Sequence, residues 1–515
     1  MSDLSGVPVL SDHDRMSAPS RPDQPAQTPA QTGQLAAVQH IVQLMLENRS
    51  FDHMLGLLYP GRSGPGGQPF EGVLGTESND DSTGKPVTVF PIDTSSPGAY
   101  FMPGADPGEG YANTNVQLFG SGKPPVPPAA TMTGFVTSFD AAITFDQRSN
   151  RSVLSGTTPA SIMGVFPPAA LPVLSGLARG FAVCDHWYSS VPTETFPNRA
   201  FACAATSQGH MNDATSSFTV PSIFGLMTKH GVDWKIYGYD AEPLTRGNFP
   251  DVVDASEANF GKFADFQADA AAGQLPAYSF LEPSWGSTGN SQHPNYDVAL
   301  GEAFILQVYR AVRNGPGWAQ TLLVITYDEH GGCYDHVPPP TGATPPDSTV
   351  GEFGFDFTRF GVRVPAVLVS PLIEAGTIYR VPDGSTPIDH TSVLKTIQQR
   401  WGLPALTARD AAAPGLGGVL TLTTPRADDP MAGVTAPTSG EPNPAAGEVS
   451  HLLSLQAQQV SDLQVPLSRL QTAPLLPNQH TPADYENYIA ARTQTWKTAR
   501  ADGDAPAGAA PASGS

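Results

Sequence analysis

Residues 297–329 read DVALGEAFILQVYRAVRNGPGWAQTLLVITYDE. Leu300, Phe304, Val308 and Val312 fall four apart, which lays one apolar stripe along a helix. Asn314-Gly315-Pro316 is a stop signal for that helix, since glycine suits the turn and proline cannot continue it. Leu322–Tyr327 follows within a few residues as an apolar run of strand length. A helix feeding a strand that is apolar on both faces is the repeating unit of a parallel sheet. Comparable runs stand at Ile41–Leu46, Trp234–Tyr237, Tyr278–Leu281 and Pro365–Ser370, with helical stretches between them. The pattern predicts an α/β chain whose mainly parallel central sheet carries helices on both faces. Asp389 is a good N-cap for a helix through Val393 and Ile397 to Trp401. Thr481-Pro482 opens a last helix that would pack through Tyr485, Tyr488, Ile489 and Trp496.

Outward from these elements the chain divides by composition. Residues 1–34 are rich in Pro, Gln, Ser and Thr and read as a disordered segment, with structure starting at Leu35. Residues 35–405 read as the catalytic domain. Within it, 59–135 are crowded with Gly and Pro and lack periodicity, so they read as an irregular insertion over the site. Residues 406–450 read as a loop or linker, 451–500 as a C-terminal helical embellishment, and 501–515 as a disordered tail. Net charge is -21, from Lys+Arg 27 against Asp+Glu 48. A chain that acidic lacks the basic footprint of a phosphate-backbone binder, which excludes nucleic acid as a partner. Cysteines are 3 in number and scattered, too few for a disulfide framework or a thiolate metal site. There is no run of apolar residues long enough for a membrane span, and the first residues carry acids where a signal peptide needs a basic region. As written, the chain reads as cytoplasmic and soluble.

Ligands of open α/β sheets bind beyond the carboxyl ends of the strands. Ile41–Leu46 ends in Glu47-Asn48, and Leu322–Tyr327 ends in Asp328-Glu329. Were these strands parallel neighbours, three carboxylates and an amide oxygen would meet at one edge. Such crowding of like charge calls for a cation, and oxygen ligands favour Ca²⁺, Mg²⁺ or Mn²⁺, with Zn²⁺ still open. The alternative is that these acids are solvated or cap helices. A third segment, Val191-Pro192-Thr193-Glu194-Thr195-Phe196-Pro197-Asn198-Arg199, runs into Ala200–Ala205. It reads as a helix starting at Pro197, with Thr195 just before its N-terminus, where free N–H groups attract phosphate. A hydroxyl there, beside a divalent cation, can attack an ester; the plainer reading is an N-cap. Asn198 and Arg199 either hold the phosphate or brace the loop.

Three motifs in order carry a resemblance: Glu47-Asn48-Arg49-Ser50-Phe51-Asp52-His53, the Thr195-x-Pro-Asn-Arg segment, and Asp328-Glu329-His330-Gly331-Gly332-Cys333-Tyr334-Asp335-His336-Val337-Pro338-Pro339-Pro340. Across residues 38–402 the chain resembles the bacterial phospholipase C and acid phosphatase phosphoesterase family; plant non-specific phospholipases C carry similar motifs. The resemblance implies an alkaline-phosphatase-like fold. It implies one divalent metal held by Glu47, Asn48, Asp328 and Glu329, and Thr195 as a nucleophile that becomes phospho-threonine. His293, in Gln292-His293-Pro294, would stabilise the transferring phosphoryl group or protonate the leaving alcohol. Asp335 and His336 would support the metal acids from behind, and His390 would face phosphate or cap a helix. Asp52 and His53 read as loop braces, and Asp185-His186-Trp187 as packing that positions the Thr195 loop.

The substrate implied is a phospholipid or small phosphoester, with peripheral membrane contact. Larger bacterial members carry an export signal and extra C-terminal β-rich modules. This sequence shows neither, which puts a choline-lipid substrate and the family's secreted or periplasmic location in question. Aromatics suited to caging a quaternary ammonium, Tyr100, Phe101, Tyr111 and Phe119, lie in the insertion. Two other functions stand beside phospholipase C: a broad acid phosphatase, and an inactive phosphate- or lipid-binding module. A sulfatase would need Cys or Ser where Thr195 stands.

Overall fold

The computed structural model describes residues 29–149, 151–466, 469 and 481–502. Residues 1–28 and 503–515, read from the sequence as disordered ends, lie outside the described residues. The first described element, the helix Pro29–Ala37, begins before Leu35.

Eight strands form the central sheet. They are β1 (His40–Leu46), β2 (Ala182–Val183), β3 (Trp234–Gly238), β4 (Phe260–Lys262), β5 (Tyr278–Leu281), β6 (Thr321–Tyr327), β7 (Ala366–Val369) and β8 (Thr377–Ile378). Their spatial order is β8-β2-β7-β6-β1-β5-β3-β4. β1 pairs in parallel with β5 and β6, β3 with β5 and β4, and β2 with β8. β7 runs against both of its neighbours. The run at Pro365–Ser370 is therefore a strand, but the reversed one: apolarity reports burial and says nothing of direction.

Every residue of β6, and all but the first of β1, is buried. Helices cover both faces, so the strands read as continuous apolar runs and not as an alternation. The helix Val298–Asn314 packs on Pro172–Gly180 and Phe263–Ala272; a second group joins Thr391–Trp401 to Thr195–Ala204. Asp297 caps the first of these by accepting the Ala299 N–H at 2.9 Å. Phe304, Val308 and Val312 are buried as the stripe predicts, with Ile305, Leu306 and Tyr309 widening the face. Full burial of each such side chain is worth roughly 1.5–3 kcal/mol. The helix ending at Trp401 starts at Thr391, and Asp389 caps it from just upstream by accepting the Thr391 N–H at 3.0 Å.

Residues 406–450 differ from a free linker. They are irregular, yet Leu416, Val419, Leu420 and Met431 belong to the main core. The helices His451–Asp462 and Pro482–Ala501 pair with each other and bury Leu452, Leu453, Tyr485, Tyr488 and Ile489 in that core. Thr481 caps the last helix as its sequence predicts, its hydroxyl accepting the Asp484 N–H at 3.2 Å. Residues 59–135 carry a small core of their own, in which Val73, Val89, Leu118 and Phe135 meet Tyr334. No helix among the described residues is long and apolar enough to cross a membrane.

The register of the central pair sets up the site. Leu46 stands opposite Tyr327, so Glu47-Asn48 and Asp328-Glu329 leave the sheet side by side. Because β7 is reversed, the residues that precede it, including Arg363, arrive at the same edge.

Candidate active site

Asn48 stands at the centre of this edge. Its backbone N–H donates to Asp328 Oδ1 at 3.1 Å, and its Nδ2 donates to Glu109 Oε2 at 2.6 Å. Its Oδ1 accepts the Thr195 hydroxyl at 3.4 Å. The backbone here is left-handed, with φ 52°, a conformation that asparagine tolerates better than most residues. Thr195 is the first residue of the helix Thr195–Ala204 and is buried. The helix thus begins earlier than Pro197. Proline fits in the first turn because its missing N–H has no partner to lose there. The N-cap residue is Glu194, and the Phe196 N–H is satisfied by Asp213 Oδ1 at 2.8 Å.

Arg199 is buried and pairs with Asp328 Oδ2 at 2.9 Å, with its guanidinium over Trp285 at 4.8 Å. One of its amines, Nη1, is buried without a partner, so it retains a hydrogen bond to offer. Asn198 has none to spare. Its Oδ1 accepts the Val191 N–H, and its Nδ2 donates to the carbonyls of Val191, Thr193 and Glu194. Its amide braces the Thr195 loop, in place of the phosphate contact considered for it. His390 is likewise occupied: Nε2 donates to the Asp328 carbonyl at 2.6 Å, and Nδ1 accepts from Trp187 Nε1 at 3.2 Å. Its place is behind Asp328, where it positions the strand end and does not face a ligand. Trp187 supports that arrangement from the core, so its side-chain hydrogen bond is with His390 and not with the Thr195 loop it was expected to position.

The edge is crowded with acid. Burial raises Glu47 to about 7, with His293 opposing and Asp328 adding to the rise. Burial and then Asp328 hold Glu329 well above the usual carboxylate range. Glu109 is raised well above that range by burial and then by Glu329 and Asp106. Asp213 is raised well above it by burial and then by Glu194. Buried carboxylates facing one another need protons or a cation. Glu329 Oε1 is buried with no hydrogen-bond partner, a position that suits a proton or a cation. A divalent ion held by Glu47, Asn48, Asp328 and Glu329 fits this chemistry. The trio Glu47, Asp328 and Glu329 is nonetheless open. Among the described residues, only Asp52–Asp335–His336 and Asp106–Glu109–His293 bring three ligand atoms of His, Cys, Asp or Glu within 4.8 Å of one another.

The first of these groups is already neutralised. Arg363, fully buried, pairs with Asp52 at 2.9 Å and with Asp335 at 3.0 Å. His336 bonds Asp52 through Nδ1 at 2.5 Å. Asp335 and His336 thus lock the Ser50–Leu55 segment to the loop after β6 and are bonded to Asp52, Val337 and Arg363, not to the strand-end acids. His53 is a brace as well, between Arg49 and the Gly164 carbonyl. His330 contacts Gln117 Oε1 at 2.7 Å, and burial lowers it to about 3. His293 lies at the rim, 3.9 Å from Asp106.

The aromatics of the insertion are committed to packing. Tyr100 and Phe101 are buried in the main core. Tyr111 and Phe119 sit around the Arg359 guanidinium at 5.8 and 5.3 Å. Sequence reasoning missed Glu109, Asp106, Glu194, Asp213 and Arg363. The readable signals were Asp106-Pro-Gly-Glu109 in a loop already placed near the site, and a lone charge in the apolar stretch Val362-Arg363-Val364.

With the geometry in place, comparison with known proteins identifies the lineage. Residues 38–404 match the profile of the Phosphoesterase family. Non-specific phospholipase C6 of Arabidopsis thaliana is 35% identical over 76% of this chain and 74% of its own length. The chain belongs to the phosphoesterase family. Non-specific phospholipase C3 of the same plant is 33% identical over 90% of this chain and 87% of its own. Phospholipase C A of Mycobacterium tuberculosis is 27% identical over 76% and 79%. A solved protein of the alkaline phosphatase superfamily from Vibrio parahaemolyticus overlaps 48% of this chain and 65% of its own at 13% identity, with a TM-score of 0.28. The family makes this chain a hydrolase of phosphoric ester bonds, and its named relatives are phospholipases C.

Proposed function

We propose that the protein is a metal-dependent phosphodiesterase of phospholipase C type that works through a phospho-threonine at Thr195. The observation that carries this reading is the 3.4 Å contact between the Thr195 hydroxyl and Asn48 Oδ1, at the start of a helix and on the acidic edge. Thr195 Oγ gives up its proton to solvent and attacks phosphorus, the bond to the leaving alcohol breaks, and that alkoxide takes a proton from solvent. Water then attacks the phospho-threonine from the opposite side and frees Thr195. Asn48 orients the hydroxyl, the helix N-terminus favours the negative phosphoryl group, and Arg199 offers its unpartnered Nη1 to a phosphoryl oxygen. Glu47, Asn48, Asp328 and Glu329 would hold a divalent ion that polarises the phosphoryl oxygens and favours the ionised hydroxyl. Displacement at phosphorus depends chiefly on such positioning and charge neutralisation.

The lipid headgroup as substrate comes from the names of the relatives. The test is hydrolysis of p-nitrophenylphosphorylcholine beside p-nitrophenylphosphate, with EDTA and with added Ca²⁺, Mg²⁺, Mn²⁺ or Zn²⁺. Metal-dependent preference for the diester is the expected result. Preference for the monoester would make the enzyme an acid phosphatase. Turnover unchanged in Thr195→Ala would remove the nucleophile assignment, and no turnover with any metal would leave a binding module.

A further inference from the structure

We propose that Asp106, Glu109 and His293 form a second divalent-cation site, beside the one proposed for the strand ends. Their ligand atoms lie within 4.8 Å of one another. His293 Nδ1 lies 2.8 Å from the Pro294 carbonyl, an acceptor only, so Nδ1 carries a proton and Nε2 is the nitrogen left to ligate a metal. A ligating histidine is held in just this way, with its other nitrogen donating to a carbonyl that fixes the ring. Nε2 faces Asp106 Oδ1 at 3.9 Å, too far for a hydrogen bond. Asp106 Oδ1 is itself buried without a partner, while its Oδ2 faces Arg151 at 3.8 Å. Glu109 uses Oε2 on Asn48 and presses against Glu329, whose own Oε1 is fully buried and unpartnered. The three ligand atoms converge, and a cation at their centre would satisfy all of them.

The donor set chooses the ion. The strand-end site offers oxygen alone and suits Ca²⁺ or Mg²⁺. An imidazole with two carboxylates suits Zn²⁺ or Mn²⁺. His293 then acts on the transferring phosphoryl group through a bound charge. A metal on Nε2 would leave that nitrogen no proton to give to the leaving alcohol.

The inference shares the acidic edge with the proposed hydrolytic site, so its test must separate the two. Full-length protein stripped with a chelator is titrated with MnCl₂, and bound metal is counted by mass spectrometry after dialysis. The expected content is about two ions per chain in the wild type. It falls to about one in Asp106→Asn and in His293→Gln, and to about one in Asp328→Asn through loss of the other site. Pulsed electron paramagnetic resonance of the Mn²⁺ protein gives a readout that misfolding cannot mimic. A directly bonded ¹⁴N coupling is expected in wild type and in Asp328→Asn and is lost in His293→Gln. One ion per chain, unchanged in Asp106→Asn and His293→Gln and without ¹⁴N coupling, overturns the second site while leaving the first. No bound metal in any protein overturns both.

Discussion

Replacing Arg363 by Met tests whether the Asp52–Asp335–His336 group is structural, as its arginine implies, or a disguised metal site. Arg363 is fully buried and makes four hydrogen bonds, to Asp335 Oδ1, Asp52 Oδ1, and the carbonyls of Glu71 and Asp185. Its guanidinium also lies 4.6 Å from the Phe51 ring, a contact the thioether partly keeps. Breaking a buried ion pair by removing one partner costs about 3–5 kcal/mol. Here two carboxylates lose the same partner, so the cost belongs at the upper end, about 5 kcal/mol. Proton uptake limits it. Burial already raises Asp335 to about 6 against the pull of Arg363, so without that cation it binds a proton near neutral pH. The defect should therefore widen between pH 5.5 and pH 8. Burial also raises Asp52, but Arg363 and His336 outweigh it and hold the carboxyl below its usual range. Adding Asp52→Asn to Arg363→Met removes one uncompensated charge and should recover about 1–3 kcal/mol. Urea unfolding followed by circular dichroism, with the slope held fixed, reads these differences. A single variant within 1 kcal/mol of wild type, or a double variant as unstable as the sum of the two singles, would refute the reasoning.

Divalent cation should raise the melting temperature more at pH 8 than at pH 5. Burial raises Glu47 to about 7 and holds Glu109 and Glu329 well above the usual range, so at pH 5 protons already occupy the ligands; thermal melts with and without Mn²⁺ at both pH values check this. Glu302 is pushed up to about 8 by burial, against the N–H groups of Val173 and Leu174 that it accepts. A raised carboxyl contributes stability that is fully present below the unfolded value near 4.5 and is lost as pH rises through about 8. Glu302→Gln should thus flatten the decline of the urea midpoint between pH 5 and pH 9, and an identical pH slope in the two proteins would contradict it. Trp496→Ala empties a buried position between Arg246 and Arg500 and should cost about 3–5 kcal/mol in the same unfolding assay.

The sequence was most legible where one residue type had one physical use. Apolar runs located β1, β3, β5 and β6, because strands covered on both faces tolerate little else. The last helix was legible from Thr481 and Pro482, since cap chemistry is local. Direction was not: β7 has the same apolar composition as the parallel strands of the sheet, and its reversal depends on the path of the chain from β6. The site was legible as far as its residues sat at strand ends. Glu109 and Asp106 come from an aperiodic loop, and no local pattern tells an acid that meets Asn48 from one in water. Thr195 was placed too early relative to its helix because Pro197 was taken as the first residue, although the first turn accepts proline at more than one position.

The left-handed backbone of Asn48 has a consequence for substitution. Position 48 must suit φ 52° and also present both an acceptor to Thr195 and a donor to Glu109. Glycine meets the backbone demand and offers neither group. Glutamine offers both groups from a side chain one methylene too long, on a backbone that resists the turn. Aspartate has the right length and tolerates the turn, but sets another negative charge against Glu109. In a saturation library this position should therefore tolerate no replacement, for reasons that come half from the main chain and half from the amide.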